Sequence, residues 1–338
     1  MALDGPRGAS ADELPAVLEL VDSVFRGGMG ALFPTLFHPA NAEWLRCFWD
    51  GRSAVAHAGI WHGRIRSRGR RLAVAHLGAV CTRPEYRGQG LAGALLAEAL
   101  PRLRAAGVGL LLISGDRSLY RRIGARPFGR LLRYRVGLDE ARRWADAALA
   151  VEAPGPSAAE EFAPLQALEA VRYERTAQEW RLLLPGRGYV PPGQGGSAFA
   201  VRRPGGELAA YLLLGGARRR GPARLSVHEF AGERAAVLAA LPAALAAAGA
   251  EAAELLVQPA DGPLRALLEA AGLVAAAEPQ QGTARVLDYR ACARAFGLHP
   301  PGQPPPLGSP AEAEFAAAWT TDFAQAHELP RNDGLNYI

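Results

Sequence analysis

One segment constrains the fold more than any other: an apolar strand that ends at Cys81, a turn with two glycines, and an amphipathic helix that begins near Gly90. The apolar face of that helix comprises Leu91, Leu95, Leu96, Leu100 and Leu103. A strand joined to a helix by a short turn is the building unit of layered α/β proteins. The segment therefore predicts a strand covered by a helix at the centre of a mixed α/β fold.

The turn between this strand and helix suits an anion. Glycines at Gly88 and Gly90 let backbone N–H groups approach a ligand closely, and a helix N-terminus adds partial positive charge. Arg87 could pair with phosphate oxygens. The turn has neither the Gly-Lys-Ser/Thr of a P-loop nor the spacing of a dinucleotide fingerprint. The pattern predicts a pyrophosphate cradle, with ordinary turn glycines as the alternative.

The first half of the chain alternates strands and helices. Periodicity and turn residues predict a helix over residues 12–25, strands over Leu45–Phe48, Ser53–Trp61 and Leu72–Cys81, a helix over Gly90–Ala106, a strand over Gly109–Ser114, a helical turn over Ser118–Ile123 and a strand over Phe128–Val136. This order predicts one mixed α/β domain over residues 1–150.

The second half repeats this alternation after an Ala/Pro/Gly-rich linker at residues 149–160. It predicts strands over Ser197–Arg202, Leu208–Leu214, Leu225–Phe230, Ala253–Gln258 and Ala284–Tyr289, with helices over Arg234–Ala248 and Pro263–Ala271. The repetition predicts a second domain over residues 158–297. Residues 298–338 form a proline-rich tether and a tail, in which Phe315, Trp319 and Phe323 have helical spacing. The apolar C-terminus at residues 334–338 predicts that the tail docks onto the body.

The net charge of +5 raises the question of nucleic-acid binding. The chain has no lysine, so all 38 basic residues are arginine. The arginine runs at residues 64–71 and 218–220 lack the interleaved aromatic residues that stack on bases. They favour solvated hairpin tips, so no nucleic acid is expected as a partner. A patch that steers an anionic ligand, or a nucleic-acid-associated protein, is the alternative.

Further classes are excluded on composition. No stretch has the roughly 20 apolar residues of a membrane helix, and the N-terminus lacks a signal-peptide pattern, so we expect a cytoplasmic protein with no membrane partner. Cys47, Cys81 and Cys292 are scattered and form no zinc-binding spacing. We therefore expect no metal and predict that each cysteine is a small buried apolar side chain.

Two motifs carry a family resemblance. Arg87-x-x-Gly90-x-Ala92 resembles the R/Q-x-x-G-x-G/A acetyl-CoA motif of the GNAT superfamily of N-acetyltransferases, and the preceding residues 83–86 resemble its usual lead-in. The segment over residues 118–127 is similar to the family's F-Y-x-x-x-G-F pattern, although Leu119 and Ala125 replace its aromatic positions. The two-half layout resembles tandem GNAT proteins. Residues 231–236, where a second phosphate loop would fall, make a poor cradle, so the resemblance implies a degenerate second repeat.

The resemblance implies a fold and a set of roles. It implies a GNAT fold whose central sheet splays, followed by a second GNAT-like domain. It also implies an N-acetyltransferase that moves the acetyl group of acetyl-CoA to a primary amine by direct attack on the thioester. The cofactor-binding residues would be Val80, Cys81, Arg87, Gly88, Gln89, Gly90, Leu91 and Ala92. An amide near Val80 would polarise the thioester carbonyl, and Tyr120 would protonate the departing thiolate.

The proton acceptor for the amine is less clear from the residues. His76 lies on the central strand just before the cofactor-binding portion and is the candidate base, with a histidine satisfied within the sheet as the alternative. His57 and His62 on the preceding strand are weaker candidates. The α-carboxylate of Ile338 is another, if the tail reaches the cleft.

The sequence contains no motif that identifies the amine that accepts the acetyl group. The apolar loop over residues 29–37 indicates either an acceptor with hydrophobic parts or simply core. Small-molecule or peptidyl amines remain open, as do the acyl chain length and a homo-oligomer. The alternative function is a non-catalytic acyl-CoA-binding or sensing protein in which Tyr120 performs no chemistry.

Overall fold

The computed structural model describes residues 2–25, 27–186, 196–215, 224–296, 302–305, 309–326 and 329–330. These residues divide into two compact units. Unit 1 contains the residues up to Phe128 and those from Gln281 onward, and unit 2 is Gly129–Gln280. Within these described ranges, no helix is both long enough and apolar enough to cross a membrane.

The described residues include strands in both units. In chain order they are β1 (Asp4–Gly8), β2 (Leu45–Asp50), β3 (Ser53–Ser67), β4 (Arg70–Thr82), β5 (Leu110–Ile113), β6 (Arg130–Gly137), β7 (Ala150–Glu152), β8 (Val171–Glu174), β9 (Gly196–Arg202), β10 (Leu208–Gly215), β11 (Arg224–Gly232), β12 (Ala252–Val257), β13 (Ala276–Pro279) and β14 (Thr283–Val286).

The α-helices lie between these strands. In chain order they are α1 (Leu14–Val24), α2 (Met29–Leu32), α3 (Leu91–Ala105), α4 (Ser118–Arg122), α5 (Leu138–Arg142), α6 (Ala158–Leu168), α7 (Ala177–Gly186), α8 (Arg234–Ala239), α9 (Leu241–Ala248), α10 (Gly262–Ala270), α11 (Tyr289–Phe296) and α12 (Pro310–Ala326). Short 3-10 helices cover Ala11–Glu13, Pro39–Trp44 and Pro84–Tyr86.

The sheet of unit 1 runs in the order β1-β2-β3-β4-β5-β14. Its strands pair antiparallel except for β4 and β5, which are parallel and are connected through α3. Each face buries its own cluster of apolar side chains: α3 contributes leucines to one face, and α1 and α2 contribute residues to the other. The predicted strand–helix unit therefore lies at the centre of the sheet, and the mixed α/β class is confirmed.

The sheet of unit 2 runs in the order β7-β9-β10-β11-β12-β6-β13. It also begins with antiparallel pairs, has one parallel pair, β11 with β12, and ends with antiparallel pairs. The helices α8 and α9 connect that parallel pair, as α3 connects β4 and β5. The two units thus share a strand topology.

Two strands lie in a different unit from the one that the sequence predicts, and this changes the predicted domain boundaries. The predicted last strand of the first domain is β6, which pairs with β12 and β13 of unit 2. In return β14, predicted in the second domain, pairs with β5 of unit 1. The compact units therefore differ from the predicted ranges 1–150 and 158–297. Periodicity identifies a strand but carries no information about its distant partner, which is why the exchange was not predicted.

Other predicted elements also differ. The predicted linker at residues 149–160 contains β7, which pairs with β9. The predicted helix Arg234–Ala248 is divided at Ala240, because Pro242 has no amide hydrogen for an intrahelical bond. β3 and β4 extend through the first arginine run to a hairpin tip at Arg68 and Gly69, as expected for that run. The second run, at residues 218–220, lies outside the described residues.

In the tail, α12 packs onto β14 within unit 1. The apolar residues 334–338, on which the predicted docking rests, lie outside the described residues. Arg285 and Glu312 form a buried ion pair at 2.5 Å, and the Tyr289 hydroxyl donates to the same carboxylate at 3.2 Å. The backbone N–H of Val286 donates to Thr320 Oγ1 at 2.9 Å, so α12 satisfies an amide of the edge strand. Ile338, the alternative base at the chain end, lies outside the described residues.

The three cysteines are buried and free, which confirms the prediction that each is a small buried side chain. Burial raises the pKa of all three thiols, that of Cys81 to about 12. Such thiols remain protonated at neutral pH, so they are weak nucleophiles.

Candidate active site

The sheet of unit 1 opens beside the C-terminal end of β4. β4 pairs with β5 from Val74 opposite Leu110 to Leu77 opposite Ile113. Beyond that point β4 continues to Thr82, paired only with β3 among the described residues. Residues 78–82 therefore present one backbone edge without a neighbouring strand. This is the splay that the family resemblance predicts, and it is a surface to which an extended ligand can add as a strand does.

A β-bulge interrupts β4 within this open portion. His57 pairs with Cys81 and Gly59 pairs with Gly78, so three steps along β4 match two along β3. The additional residue places Ala79 at φ 50°, in the left-handed region that non-glycine residues adopt at a cost of about 1–2 kcal/mol. Leu77 and Val80 consequently face the same buried cluster, although they are three positions apart.

His57 holds the peptide that forms this bulge. Its Nδ1 lies 2.8 Å from the carbonyl oxygen of Ala79. A carbonyl oxygen only accepts, so the proton is on Nδ1 and Nδ1 donates. The ring is buried and stacks on Phe37 at a centroid distance of 5.9 Å. Burial lowers the pKa of His57 to about 4, so the imidazole is neutral at physiological pH.

The glycine turn has the backbone that an anion cradle requires. Gly88 and Gly90 have φ of 79° and 75°, which glycine adopts without strain. A Cβ built at either residue meets no atom within 4 Å, so the space around the turn is open. Gly90 is the N-cap of α3, and neither a capping side chain nor an acidic residue occupies the first turn. The first amides of α3, from Leu91 to Gly93, have no intrahelical acceptor and suit phosphate oxygens.

The remaining predicted loop residues surround this helix end. Arg87 and Gln89 are exposed, and Arg87 Nε lies 3.3 Å from the carbonyl oxygen of Thr82, at the end of β4. This contact keeps the guanidinium beside the open edge, where it can meet a phosphate. Ala92 and Leu91 are half-buried and pack against the α3 side of the sheet.

Tyr120 lies on α4, which follows β5. Its side chain is 5% exposed and belongs to the same buried cluster as Val80 and Ile113. A Cβ built on Gly115 would lie 3.3 Å from Tyr120 Cε2, so a glycine there leaves room for the ring. Burial raises the pKa of Tyr120, and the nearby Arg117 only partly opposes this, so the hydroxyl is protonated at neutral pH.

The predicted base is on the other face of the sheet. His76 is 1% exposed and packs against Trp61 at a ring-centroid distance of 5.3 Å. Trp61 belongs to the cluster on the α1 and α2 side, as does Cys81, whereas Tyr120 and Val80 face the α3 side. Burial lowers the pKa of His76 to about 3. The structure thus places Tyr120 and Val80 in one buried cluster, whereas the His76 side chain packs on the other face of the sheet.

The bulge and its histidine are the part of the site that the sequence did not indicate. The only local signal is Gly78 within an otherwise apolar strand, since an isolated glycine in a strand often marks a bulge. The sequence indicates His57 only as a weaker candidate base. His62, the other weak candidate, packs on Trp44 at 4.1 Å, and burial lowers its pKa.

The corresponding strand of unit 2, β11, carries an ion pair beyond its last position paired with β12. β11 pairs with β12 only as far as Val227, and β11 also carries an additional residue opposite β10. Arg175 makes two contacts of 2.7 Å with the Glu229 carboxylate, and the Tyr211 hydroxyl donates to it at 2.8 Å.

The turn after β11 is acidic. The Glu169 carboxylate accepts from the Gly232 amide at 3.2 Å and pairs with Arg234 at 2.6 Å. Asp261 pairs with the same guanidinium at 2.9 Å. A phosphate would meet two carboxylates and an amide already bonded, so this geometry favours the prediction that unit 2 is a degenerate repeat.

Comparison with known proteins finds a family whose model matches the part of the chain that contains the candidate site. The family described as acetyltransferase (GNAT) domain matches residues 6–128. No curated protein sequence matches the chain. Among solved structures, the GCN5-related N-acetyltransferase of Kribbella flavida has a TM-score of 0.63 at 22% identity, over 89% of this chain and 76% of that one.

Two further structures are similar over both units. Eis1 from Mycobacterium abscessus has a TM-score of 0.62 at 19% identity, over 87% of this chain and 76% of its own. A conserved protein of unknown function from Enterococcus faecalis V583 has a TM-score of 0.67 at 14% identity, over 88% and 75%. These likenesses show the fold. The family match alone assigns residues 6–128 to the acetyltransferase (GNAT) domain family.

Proposed function

We propose that unit 1 binds acetyl-CoA and transfers its acetyl group to the primary amine of a small molecule or peptide. The observation that carries the proposal is the combination of the open edge of β4, the left-handed glycine turn at its end, and Tyr120 in one cluster with Val80. A pyrophosphate at the turn and an extended chain along β4 would bring a thioester towards that cluster.

Each part of the chain has its own task in this proposal. The α3 amides and Arg87 would hold the pyrophosphate, and the edge of residues 78–82 would pair with the pantetheine amides. Cys81 would contribute only backbone, because its side chain is buried on the opposite face. The Val80 N–H would donate to the thioester oxygen as negative charge develops on it.

Tyr120 would complete the transfer as a general acid. Bound acetyl-CoA supplies the acetyl group as a thioester. As the amine nitrogen bonds to the carbonyl carbon and the C–S bond breaks, the Tyr120 hydroxyl donates its proton to the sulfur. The proton that leaves the amine then restores Tyr120, so the protons balance. The raised pKa of Tyr120 keeps that hydroxyl protonated before the transfer.

The proposal is tested by screening amines for acetyl-CoA-dependent release of free CoA thiol. The panel contains amino acids, polyamines, aminoglycosides and peptides with free N-termini, each also tested with longer acyl-CoAs. We expect turnover with at least one amine and acetyl-CoA. Binding of CoA without turnover across the panel would instead support the non-catalytic acyl-CoA-binding protein, and absence of binding would overturn both.

The glycine turn provides a binding test with a matched control. Gly90 and Gly107 lie at opposite ends of α3, have φ of 75° and 76°, and have no atom within 4 Å of a built Cβ. Alanine should therefore cost similar stability at both, about 1 kcal/mol. We expect Gly90→Ala to weaken CoA binding by calorimetry about tenfold, because the new Cβ lies where phosphate must approach, whereas Gly107→Ala leaves it within twofold. Equal losses in the two variants would place the phosphates elsewhere.

His76 can be tested separately as the base. A buried imidazole with a pKa of about 3, packed against Trp61, is a poor acceptor for an amine proton. We expect His76→Asn to lower kcat less than about threefold and to leave the pH profile of kcat/KM unchanged. A loss of 10²-fold or more in a folded variant, the usual size for a general base, would assign the role to His76 after all.

A further inference from the structure

We propose that His57 is a positioning residue for the transfer: it fixes the Ala79–Val80 peptide so that the Val80 N–H is aimed at the thioester oxygen of bound acyl-CoA. The inference rests on the proposed function, but it concerns a buried side chain of β3 that acts only through the backbone of β4. It follows from the one hydrogen bond that His57 makes with Ala79 and from the position of that peptide in the bulge.

The direction of the Val80 amide follows from the geometry of a trans peptide. The carbonyl of Ala79 and the N–H of Val80 belong to one planar unit and point in opposite directions. The carbonyl points towards the imidazole of His57, which packs on Phe37 on the α1 and α2 side of the sheet. The N–H of Val80 must therefore point away from that ring, at a position where β4 has no paired neighbour on its β5 edge within the described residues.

The surroundings of His57 hold its ring in one place. Phe37 stacks on it, and Gly59 on the same strand provides the room, since a Cβ there would lie 3.0 Å from His57 Cε1. Ala79 needs such a restraint because its φ of 50° is unfavourable for a residue with a Cβ. Without the hydrogen bond the peptide can rotate towards an ordinary β conformation, and the Val80 N–H then no longer points at the thioester oxygen.

The hydrogen bond also makes the Val80 N–H a better donor. In a buried setting, a hydrogen bond to the carbonyl of a peptide polarises the N–H of the same peptide and strengthens its own hydrogen bond by about 10–30%. His57 does this as a neutral group, so the effect should persist throughout the neutral pH range. A neutral donor also places no charge beside the thioester.

Two substitutions separate this role from packing. In His57→Asn the amide nitrogen reaches about the position of Nδ1 and can donate to Ala79, whereas His57→Phe keeps the ring and cannot. We expect His57→Phe to lower kcat about 10- to 100-fold with the KM for acetyl-CoA within twofold, since the lost interaction is made mainly in the transition state. We expect His57→Asn to remain within about threefold of wild type.

A spectroscopic measurement tests directly whether the Val80 N–H points at the thioester carbonyl. Acetyl-CoA labelled with ¹³C at the thioester carbonyl is bound without an amine, and its infrared carbonyl band is recorded. We expect a band at lower frequency than in water for wild type and His57→Asn, and a partial return towards the unpolarised position for His57→Phe. Ile65→Ala, which removes a fully buried side chain near the far end of β3, controls for lost stability and should leave the band in place.

Two results would contradict the positioning role of His57. Wild-type band position and kcat in His57→Phe would overturn it, as would equal impairment of folded His57→Asn and His57→Phe. If His57→Phe does not fold, His57→Gln replaces it, because the longer side chain places its amide beyond Ala79 and should be impaired where Asn is not. Failure of wild type to bind acetyl-CoA would refute the proposed function itself, which is a distinct result.

Discussion

Tyr120→Phe should lower kcat by about 10²–10³-fold while the affinity for CoA stays within about twofold of wild type. The substitution removes a single oxygen and leaves the ring that packs with Val80 and Ile113, so the buried cluster keeps its shape. Without the hydroxyl, the sulfur must leave as a thiolate or take its proton from water. The measurement is initial-rate kinetics of CoA release, with CoA affinity obtained by calorimetry.

The size of this effect distinguishes the two functions that the sequence left open. In a binding or sensing protein Tyr120 is only part of the core, and the variant would change stability alone. Gly115→Ala is a useful companion, because its new Cβ would press on the ring from 3.3 Å without removing the hydroxyl. We expect it to lower kcat by less than about tenfold. A turnover rate in Tyr120→Phe equal to wild type would mean that another group protonates the sulfur.

The parts of the fold around the site that were predicted correctly are local in sequence. The turn at Gly88 and Gly90, the helix α3 and the strands before and after it all follow from glycine, hydrophobic period and chain order. Such features depend on neighbours along the chain, and their physical causes can be read in one strand–turn–helix segment.

The face of the sheet on which each site residue lies could not be predicted, because a single added residue in the strand changes it. By the two-residue period of a strand, His76 and Val80 should share a face. The bulge at Ala79 adds one residue between them, so Val80 joins Tyr120 while His76 faces Trp61. A shift of one residue moves a side chain to the opposite face, and only a weak signal, Gly78, marks the shift.

The exchange of β6 and β14 has a different cause. Both strands were predicted from their apolar residues, but their partners are distant in sequence: β6 pairs with β12 and β14 pairs with β5. Assigning each strand to the nearest predicted domain assumes that consecutive elements pair, which holds only in part. Two halves of similar topology offer two equivalent sheet edges, so local pattern is insufficient to choose between them.

Acidification from pH 7 to pH 5 should destabilise the protein by about 4 kcal/mol through His57 and His76 alone. Both imidazoles are buried, and burial lowers their pKa from 6.5 to about 4 and about 3. In the unfolded chain they bind a proton below pH 6.5, whereas in the folded chain they remain neutral until near pH 4 or below. Their stability contribution is thus complete above pH 6.5 and is lost as the pH falls.

The magnitude follows from linkage. Each histidine lowers the free energy of unfolding by about 1.4 kcal/mol per pH unit between its unfolded and folded pKa, which gives about 2 kcal/mol for each at pH 5. His62, whose pKa burial also lowers, acts in the same direction. Ion-paired carboxylates such as Glu13, whose pKa its hydrogen bond with Arg7 lowers to about 2, lose their contribution only below about pH 4.5. The range from pH 7 to pH 5 therefore reports on the histidines.

The test compares denaturant unfolding of wild type and of the variant His57→Asn/His76→Asn at both pH values. Asparagine does not titrate, so the variant should lose most of the difference between pH 7 and pH 5 even if it is less stable at pH 7. Ile65→Ala, which removes a buried side chain of β3 that does not titrate, is the control for lost stability and should keep the wild-type difference. An equal pH difference in the double variant would mean that other groups titrate. The two imidazoles would then bind protons in the folded protein about as readily as in the unfolded chain.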